Sequence, residues 1–315
     1  MTLLSFVIPC YRSERTIAAV IEEIIATVSQ REGYDYEIIA VDDNSPDHVF
    51  DILQGIAKDN RRVKVIRLAR NMGKHAAVLA GYSIVKGDYI VNLDDDGQSP
   101  TYELWKLAEV IEADECDYVT AAYNKKKESK TKVLGSNFNK WMGRVLLDKP
   151  KDLRFENFSM TKAFVAHEMI KYTNAFPYLP GLILRVTKRI KAVPMEERDR
   201  KDGNASGYTL KKSVALVANG MTAFSVKPLR VATIAGMLFA FLGFCYGIYI
   251  IVRKLVYPEL LVGYSSIAAI LLFSCGLIML MLGIIGEYIG RIYICINDSP
   301  QYVIKETINV DETYM

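Results

Sequence analysis

Three consecutive carboxylates, Asp94, Asp95 and Asp96, stand in the run Asn92-Leu93-Asp94-Asp95-Asp96-Gly97-Gln98. Side by side they repel one another unless a cation is shared between them. Hard oxygen ligands of this kind suit Mg²⁺ or Mn²⁺, and such an ion can bridge the phosphates of a nucleotide. A solvated acidic turn is the plainer alternative, but the position directly after an apolar strand favours the metal. A second acidic pair opens Asp42-Asp43-Asn44-Ser45-Pro46. A carboxylate at a strand end can accept from a base N–H or a ribose hydroxyl, and it can equally cap the following helix. Asn71-Met72-Gly73-Lys74-His75 opens a helix whose first amides, with Lys74, either face phosphate or form a simple turn. His75 is one of three histidines and belongs to no triad or ligand set visible in the sequence. Two basic groups complete the inventory: Lys125-Lys126-Lys127 with Lys130 and Lys132, and Arg198-Asp199-Arg200-Lys201 with Gly203 and Ser206. Charge runs are usually solvated faces, but beside an acidic edge they are candidates for pyrophosphate and lipid-phosphate contacts.

The elements that would position these residues alternate. Apolar runs at Leu3–Ile8, Tyr36–Val41, Val63–Leu68, Tyr89–Leu93 and Asp117–Ala122 read as strands. Helical spacing fills Thr16–Val28, Val49–Lys58 and His75–Val85. Alternation of this kind predicts an α/β domain, a doubly wound and mostly parallel sheet with helices on both faces. Ligands of such sheets sit beyond the carboxyl ends of the strands. Pro9-Cys10-Tyr11, Asp42-Asp43 and Asp94-Asp95-Asp96 all fall on that one edge.

The chain has 315 residues, 51% apolar and 24% charged, with a net charge of +3. That is too apolar for disorder, and its weak basicity gives no pull towards nucleic acid. Five dispersed cysteines without a CxxC pair argue against a disulfide framework or a zinc site. Val231–Val252 and Tyr264–Ile285 are uncharged apolar stretches. At 1.5 Å per residue each spans roughly 33 Å, enough for a bilayer core, whereas a pair of buried core helices is the soluble alternative. Joined by 253–263, they predict a transmembrane hairpin with both flanks on one side. Lys211, Lys212, Lys227, Arg230, Arg291 and Lys305 on the flanks outnumber Arg253 and Lys254 in the loop, which places the flanks in the cytoplasm. Met1–Pro9 has no basic lead-in of the signal-peptide kind, in keeping with a cytoplasmic first domain. The expected organisation is a catalytic domain at 1–207, a juxtamembrane segment at 208–230, two spans within 231–286 and a cytoplasmic tail at 287–315. The segment 208–230 mixes Lys211 and Lys212 with Leu210, Val214, Leu216 and Phe224, as either an interfacial amphipathic helix or an ordinary surface helix.

Val7–Tyr11, Val41–Pro46, Asn71–Gly81, Leu93–Pro100, Arg200–Tyr208, Pro228–Arg230 and Gly286–Tyr293 occur in an order that resembles the family 2 glycosyltransferases of GT-A fold. More narrowly, the chain is similar to the polyisoprenyl-phosphate glycosyltransferases of that family. The resemblance implies a nucleotide-sugar donor, UDP- or GDP-linked, and a polyisoprenyl phosphate acceptor such as undecaprenyl phosphate. It also implies Mg²⁺ or Mn²⁺, a multi-pass place in the plasma membrane with the catalytic domain facing the cytoplasm, and a homo-oligomer, often a tetramer. By the same resemblance Pro9, Tyr11, Glu14, Asp43, Asp94, Asp95, Arg200 and Ser206 hold the nucleotide. Asp96 and Gln98 match the metal ligands, and Asp94, Asp96, Asn157 and Lys132 match catalytic positions.

Four departures accompany the match. Arg12 and Ser13 replace the usual Asn and frequent Glu, Ala122 replaces a frequent arginine, and Asn204-Ala205 lengthens the closing loop by one residue. Glu156-Asn157-Phe158-Ser159 stands where many members carry Gly-Asp-Phe-Arg, so an expected carboxylate becomes Asn157 or shifts to Glu156. A lipid phosphate supplies an oxygen that is already anionic at neutral pH and needs no strong base. An alcohol acceptor would need one. The expectation is therefore in-line displacement at the anomeric carbon with inversion. A glycan or glycolipid acceptor, and a non-catalytic membrane binding protein of the same fold, are the competing readings.

Overall fold

The computed structural model describes residues 1–123, 153, 155–175, 177–196, 198, 227–256, 264–297 and 299–311. The chain divides into two compact units, Met1–Ser213 with Asp298–Met315, and Val214–Asn297.

The first unit is built on β1 (Thr2–Cys10), α1 (Ile17–Ser29), β2 (Tyr34–Asp42), α2 (Val49–Asp59), β3 (Val63–Leu68), α3 (Lys74–Tyr82) and β4 (Tyr89–Asn92). It continues through α4 (Leu104–Glu112), β5 (Tyr118–Tyr123), β6 (Ser159–Lys162), α5 (Ala163–Met169), α6 (Leu179–Val186) and β7 (Ile190–Met195). A last strand, β8 (Ile304–Ile308), returns from the far end of the chain. Each strand and helix expected from the apolar pattern of this unit is present, with ends displaced by a few residues. The eight strands form one sheet in the order β7-β5-β6-β4-β1-β2-β3-β8. Strands β1–β5 and β7 run one way, while β6 and β8 run against them.

Strands β1 and β2 read as continuous apolar runs because both of their faces are covered. Leu4, Phe6, Ile8 and Cys10 join Ile38 and Ala40 in a core with Ile17, Ile21 and Ile24 of α1, Leu53 of α2 and Leu107 of α4. On the opposite face α3 lies against β1 and β2 through Gly81. A Cβ there would come within 2.5 Å of Val7 Cγ1 and 3.3 Å of Val41 Cγ2, so only glycine lets the helix approach that closely.

Strand β8 pairs antiparallel with β3 along Val65–Leu68, within the region read from sequence as a tail. Asn309 donates to Ala57 O and Val63 O at 2.6 and 2.9 Å, and Gln301 donates to Tyr172 O and Asn174 O at 2.9 and 3.0 Å. The run Ile-Lys-Glu-Thr-Ile is too short and too polar to announce a strand by itself.

The second unit contains α7 (Lys227–Val256) and α8 (Tyr264–Ile296). Within them Ala232–Tyr249 and Phe273–Ile296 are long and apolar enough to cross a membrane, and neither window is buried within the chain. A Cβ at Gly236 of α7 would come within 3.2 Å of Met281 Cε, and the Phe239 and Phe273 rings lie 5.5 Å apart. Both helices outrun the spans read from the apolar stretches. Residues 227–230, expected in the juxtamembrane segment, form the first turn of α7. At the other end, α8 passes through Glu287 and Arg291, an i,i+4 ion pair at 2.8 Å that lets charged residues continue the helix.

Candidate active site

The strand order makes a crevice at one place. From β1 the chain winds outward through β2 and β3, then crosses back to place β4 on the other side of β1. Beyond the carboxyl ends of β1 and β4, helices leave the sheet in opposite directions, and such a switch point is where doubly wound sheets bind ligands. Pro9 and Asp94 therefore come together by topology. The loops around this point are conformationally unusual. Arg12, Asn44, Gly73 and Gly97, one in each bordering loop, have φ of 58°, 52°, 86° and 72°. Side-chain-bearing residues hold that conformation only where their surroundings fix it. Arg12 is fixed by its N–H to Ser45 Oγ at 2.7 Å, and Ser45 in turn donates its N–H to Asp42 at 2.8 Å.

The three acidic neighbours have different partners. Asp94 is held from both sides, one oxygen accepting from Lys74 Nζ and the other from Asn157 Nδ2. Asp95 turns inward and accepts the Tyr11 N–H at 2.9 Å, which ties the β4 loop to the β1 loop. Burial of its carboxyl, with the Asp94 and Asp96 charges adding, pushes Asp95 up to about 6. Asp96 accepts the Gln98 N–H at 3.1 Å, and the Gln98 amide nitrogen donates to Arg198 O at 3.3 Å. Among the described residues no three His, Cys, Asp or Glu side chains converge as a ready-made metal cage. The oxygen donors of Asp96 and Gln98 nevertheless fit a hard divalent cation that takes its other ligands from phosphate and water, as Mg²⁺ and Mn²⁺ do.

Of the other expected residues, Asp43 is buried and accepts the N–H groups of Met72 and Gly73 at 2.7 and 2.9 Å. It anchors the entry to α3, and burial raises its pKa. Neither Asp42 nor Asp43 caps α2, whose N-cap is His48. Glu14 accepts the His48 N–H at 3.1 Å and donates its own N–H to Asp47, again joining the β1 and β2 loops. Tyr11 is left 43% exposed at the crevice mouth, with the Arg12 guanidinium 5.4 Å from its ring centre. Lys132, Arg200 and Ser206 lie outside the described residues, as do Lys125–Lys127 and 208–226. Arg198, the described part of the second basic group, pairs with Glu23 at 2.8 Å and stacks 4.5 Å from the Tyr102 ring centre.

Sequence reasoning found no role for His75 or Asn92. Both line a cavity of about 90 Å³ beside Asp94, walled also by Lys74, Asn157 and Tyr82. Each looked ordinary in the chain, His75 in the first turn of a helix and Asn92 at a strand end. Only the fold brings them to one space.

Residues 5–168 match the family model described as glycosyl transferase family 2, and residues 227–292 match the GtrB C-terminal hairpin. The chain is similar to an uncharacterized glycosyltransferase, YkcC, of Bacillus subtilis (strain 168). The two are 33% identical over 98% of this chain and 94% of that one. It is also 29% identical, over 98% of its own length and 95% of the relative's, to an undecaprenyl-phosphate 4-deoxy-4-formamido-L-arabinose transferase of Edwardsiella ictaluri (strain 93-146). Among solved structures, glucosyl-3-phosphoglycerate synthase from Mycobacterium tuberculosis, in complex with Mn²⁺ and UDP-glucose, superposes with a TM-score of 0.52. That match covers 70% of this chain and 77% of the other at 17% identity, a likeness of fold.

Proposed function

Because this chain belongs to glycosyl transferase family 2, and so is a glycosyltransferase that uses a nucleotide sugar, we propose that its acceptor is a polyisoprenyl phosphate, in the first instance undecaprenyl phosphate. The observation that carries this reading is the amide at Asn157. It donates to Asp94 where an alcohol-activating enzyme would want a carboxylate base. A lipid phosphate brings its own anionic oxygen, so the site has only to position and to offset charge. The name of the Edwardsiella relative and the two apolar helices support the same acceptor.

In this reading Tyr11 and Pro9 border the nucleotide, and Asp94, fixed by Lys74 and Asn157, orients the donor beside the anomeric carbon. Asp96 and Gln98 hold the divalent cation, Mg²⁺ or Mn²⁺, which when bound offsets the charge of the departing diphosphate. A phosphate oxygen of the lipid forms the new bond to the anomeric carbon as the bond to the diphosphate breaks, with inversion. Lys132, Arg200 and Ser206 would supply cationic and hydroxyl contacts to the two phosphate groups. The enzyme is placed at the cytoplasmic face of the plasma membrane, its α7–α8 hairpin spanning the bilayer and its copies assembled as a homo-oligomer.

The test is turnover by full-length protein in detergent, with UDP- and GDP-sugars, undecaprenyl phosphate, and Mn²⁺, Mg²⁺ or EDTA. Lipid-linked sugar forms with metal, stops with EDTA and falls at least about 100-fold in Asp96→Asn. Nucleotide-sugar binding without any lipid product would overturn the acceptor assignment.

A further inference from the structure

Arg198 belongs to a basic run whose composition suits phosphate, yet in the fold its guanidinium is engaged elsewhere. Its Nη1 donates to Glu23 of α1 at 2.9 Å, and the group stacks 4.5 Å from the Tyr102 ring centre. Glu23 also accepts from Thr101 Oγ1. One carboxylate of α1 thus ties the loop that follows the acidic triplet to the segment that follows β7. The two stretches also meet directly at Gln98. Arg198 donates its N–H to Gln98 O at 3.4 Å, and the Gln98 side-chain nitrogen donates to Arg198 O at 3.3 Å. Asp96 accepts the Gln98 N–H at 3.1 Å, which links Gln98 to the other candidate cation ligand.

This arrangement bears on the cation. Only the oxygen of the Gln98 amide can ligate Mg²⁺ or Mn²⁺, since the nitrogen carries two hydrogens and offers no lone pair. A neighbouring carbonyl accepts the nitrogen of such an amide and repels its oxygen. Arg198 O therefore decides which end of Gln98 is turned away from the β7 segment. That carbonyl stays in place only while its own residue does, and the side chain of Arg198 is held by Glu23 and Tyr102. We infer that Arg198, clamped in this way, is a positioning residue for Gln98 and directs its amide oxygen to the divalent cation. The inference rests on the reading of Asp96 and Gln98 as cation ligands. It differs in sign from a plain charge effect. Removing a positive charge near a cation site would by itself tighten the cation, whereas losing the orientation of a ligand loosens it.

The experiment measures the Mn²⁺ dissociation constant of full-length protein in detergent, with UDP and in parallel with GDP, from the electron paramagnetic resonance of free Mn²⁺. Arg198→Ala weakens Mn²⁺ about tenfold with the melting temperature kept. Gln98→Ala weakens it at least as much, and the double variant Arg198→Ala with Gln98→Ala is no weaker than Gln98→Ala alone. Arg198→Lys, which keeps the charge and serves if alanine unsettles the fold, lacks the planar fork and loses less than Arg198→Ala. Unchanged or tighter Mn²⁺ binding in both Arg198 variants would overturn the inference and leave the cation reading standing. Additive losses in the double variant would also overturn it, because Arg198 would then act by a route that does not pass through Gln98. Wild-type affinity in Gln98→Ala, or a wild type that binds no Mn²⁺ with either nucleotide, would instead overturn the cation reading, and the positioning role with it.

Discussion

At Asn157 an amide nitrogen donates to Asp94, and that contact separates two accounts of the chemistry. If the position works by holding Asp94, Asn157→Asp replaces a donor with a second carboxylate and sets like charges against each other. The expected outcome is a kcat at neutral pH at least about tenfold lower, with Asn157→Ala less damaging than Asn157→Asp. A rise in kcat for Asn157→Asp would show that the site wants a base. His75 offers a check on burial that is independent of turnover. Its unfolded value is 6.5, and burial, with the Lys74 charge, lowers it to about 4 in the folded domain. Between those values the unfolded chain binds the extra proton, so this contribution to stability is present above pH 6.5 and is lost as pH falls towards 4. Wild type should therefore lose on the order of 2 kcal/mol relative to His75→Gln across that window, read from denaturant melts at each pH. Parallel curves for the two proteins would contradict a neutral buried imidazole. Asp94–Asp96 could be picked out in the sequence because an acidic triplet directly follows an apolar strand. His75 and Asn92 could not, since only the fold brings them to the cavity beside Asp94.

Strands β1–β5 and helices α1–α3 were legible in the sequence, β1 and β2 most plainly because runs buried on two faces leave an unbroken apolar signature. Strand β6 was not, because the four residues Ser-Met-Thr-Lys carry neither an apolar run nor any mark of antiparallel pairing between β4 and β5. Strand β8 was missed for a related reason: its partner β3 lies more than 200 residues away in the chain. Asn309 pins that strand, with φ of 58° and two hydrogen bonds to backbone carbonyls. Asn309→Ala removes both bonds and places alanine in a left-handed conformation, which should cost about 1–3 kcal/mol. Asn309→Gly relieves the conformational part alone and should recover only some of that loss. Denaturation midpoints within experimental error of wild type for both variants would mean that β8 contributes little to the unit.

At the scale of the whole chain, a family 2 catalytic unit and a hairpin of two apolar helices share one polypeptide, and the sequence revealed both through hydropathy and motif order. It could not reveal how Asp94 is shared between Lys74 and Asn157, since those three residues come from distant parts of the chain. The central claim concerns the acceptor, and it is that the enzyme needs an oxygen that is already charged. The most direct measurement compares undecaprenyl phosphate with undecaprenol, the same lipid bearing a neutral hydroxyl, under identical detergent, donor and metal conditions. The account predicts sugar transfer to the phosphate and at least about 1,000-fold less to the alcohol, because the side chain that holds Asp94, Asn157, is an amide and takes no proton from a hydroxyl. Comparable transfer to undecaprenol would contradict the account and require a general base in the site.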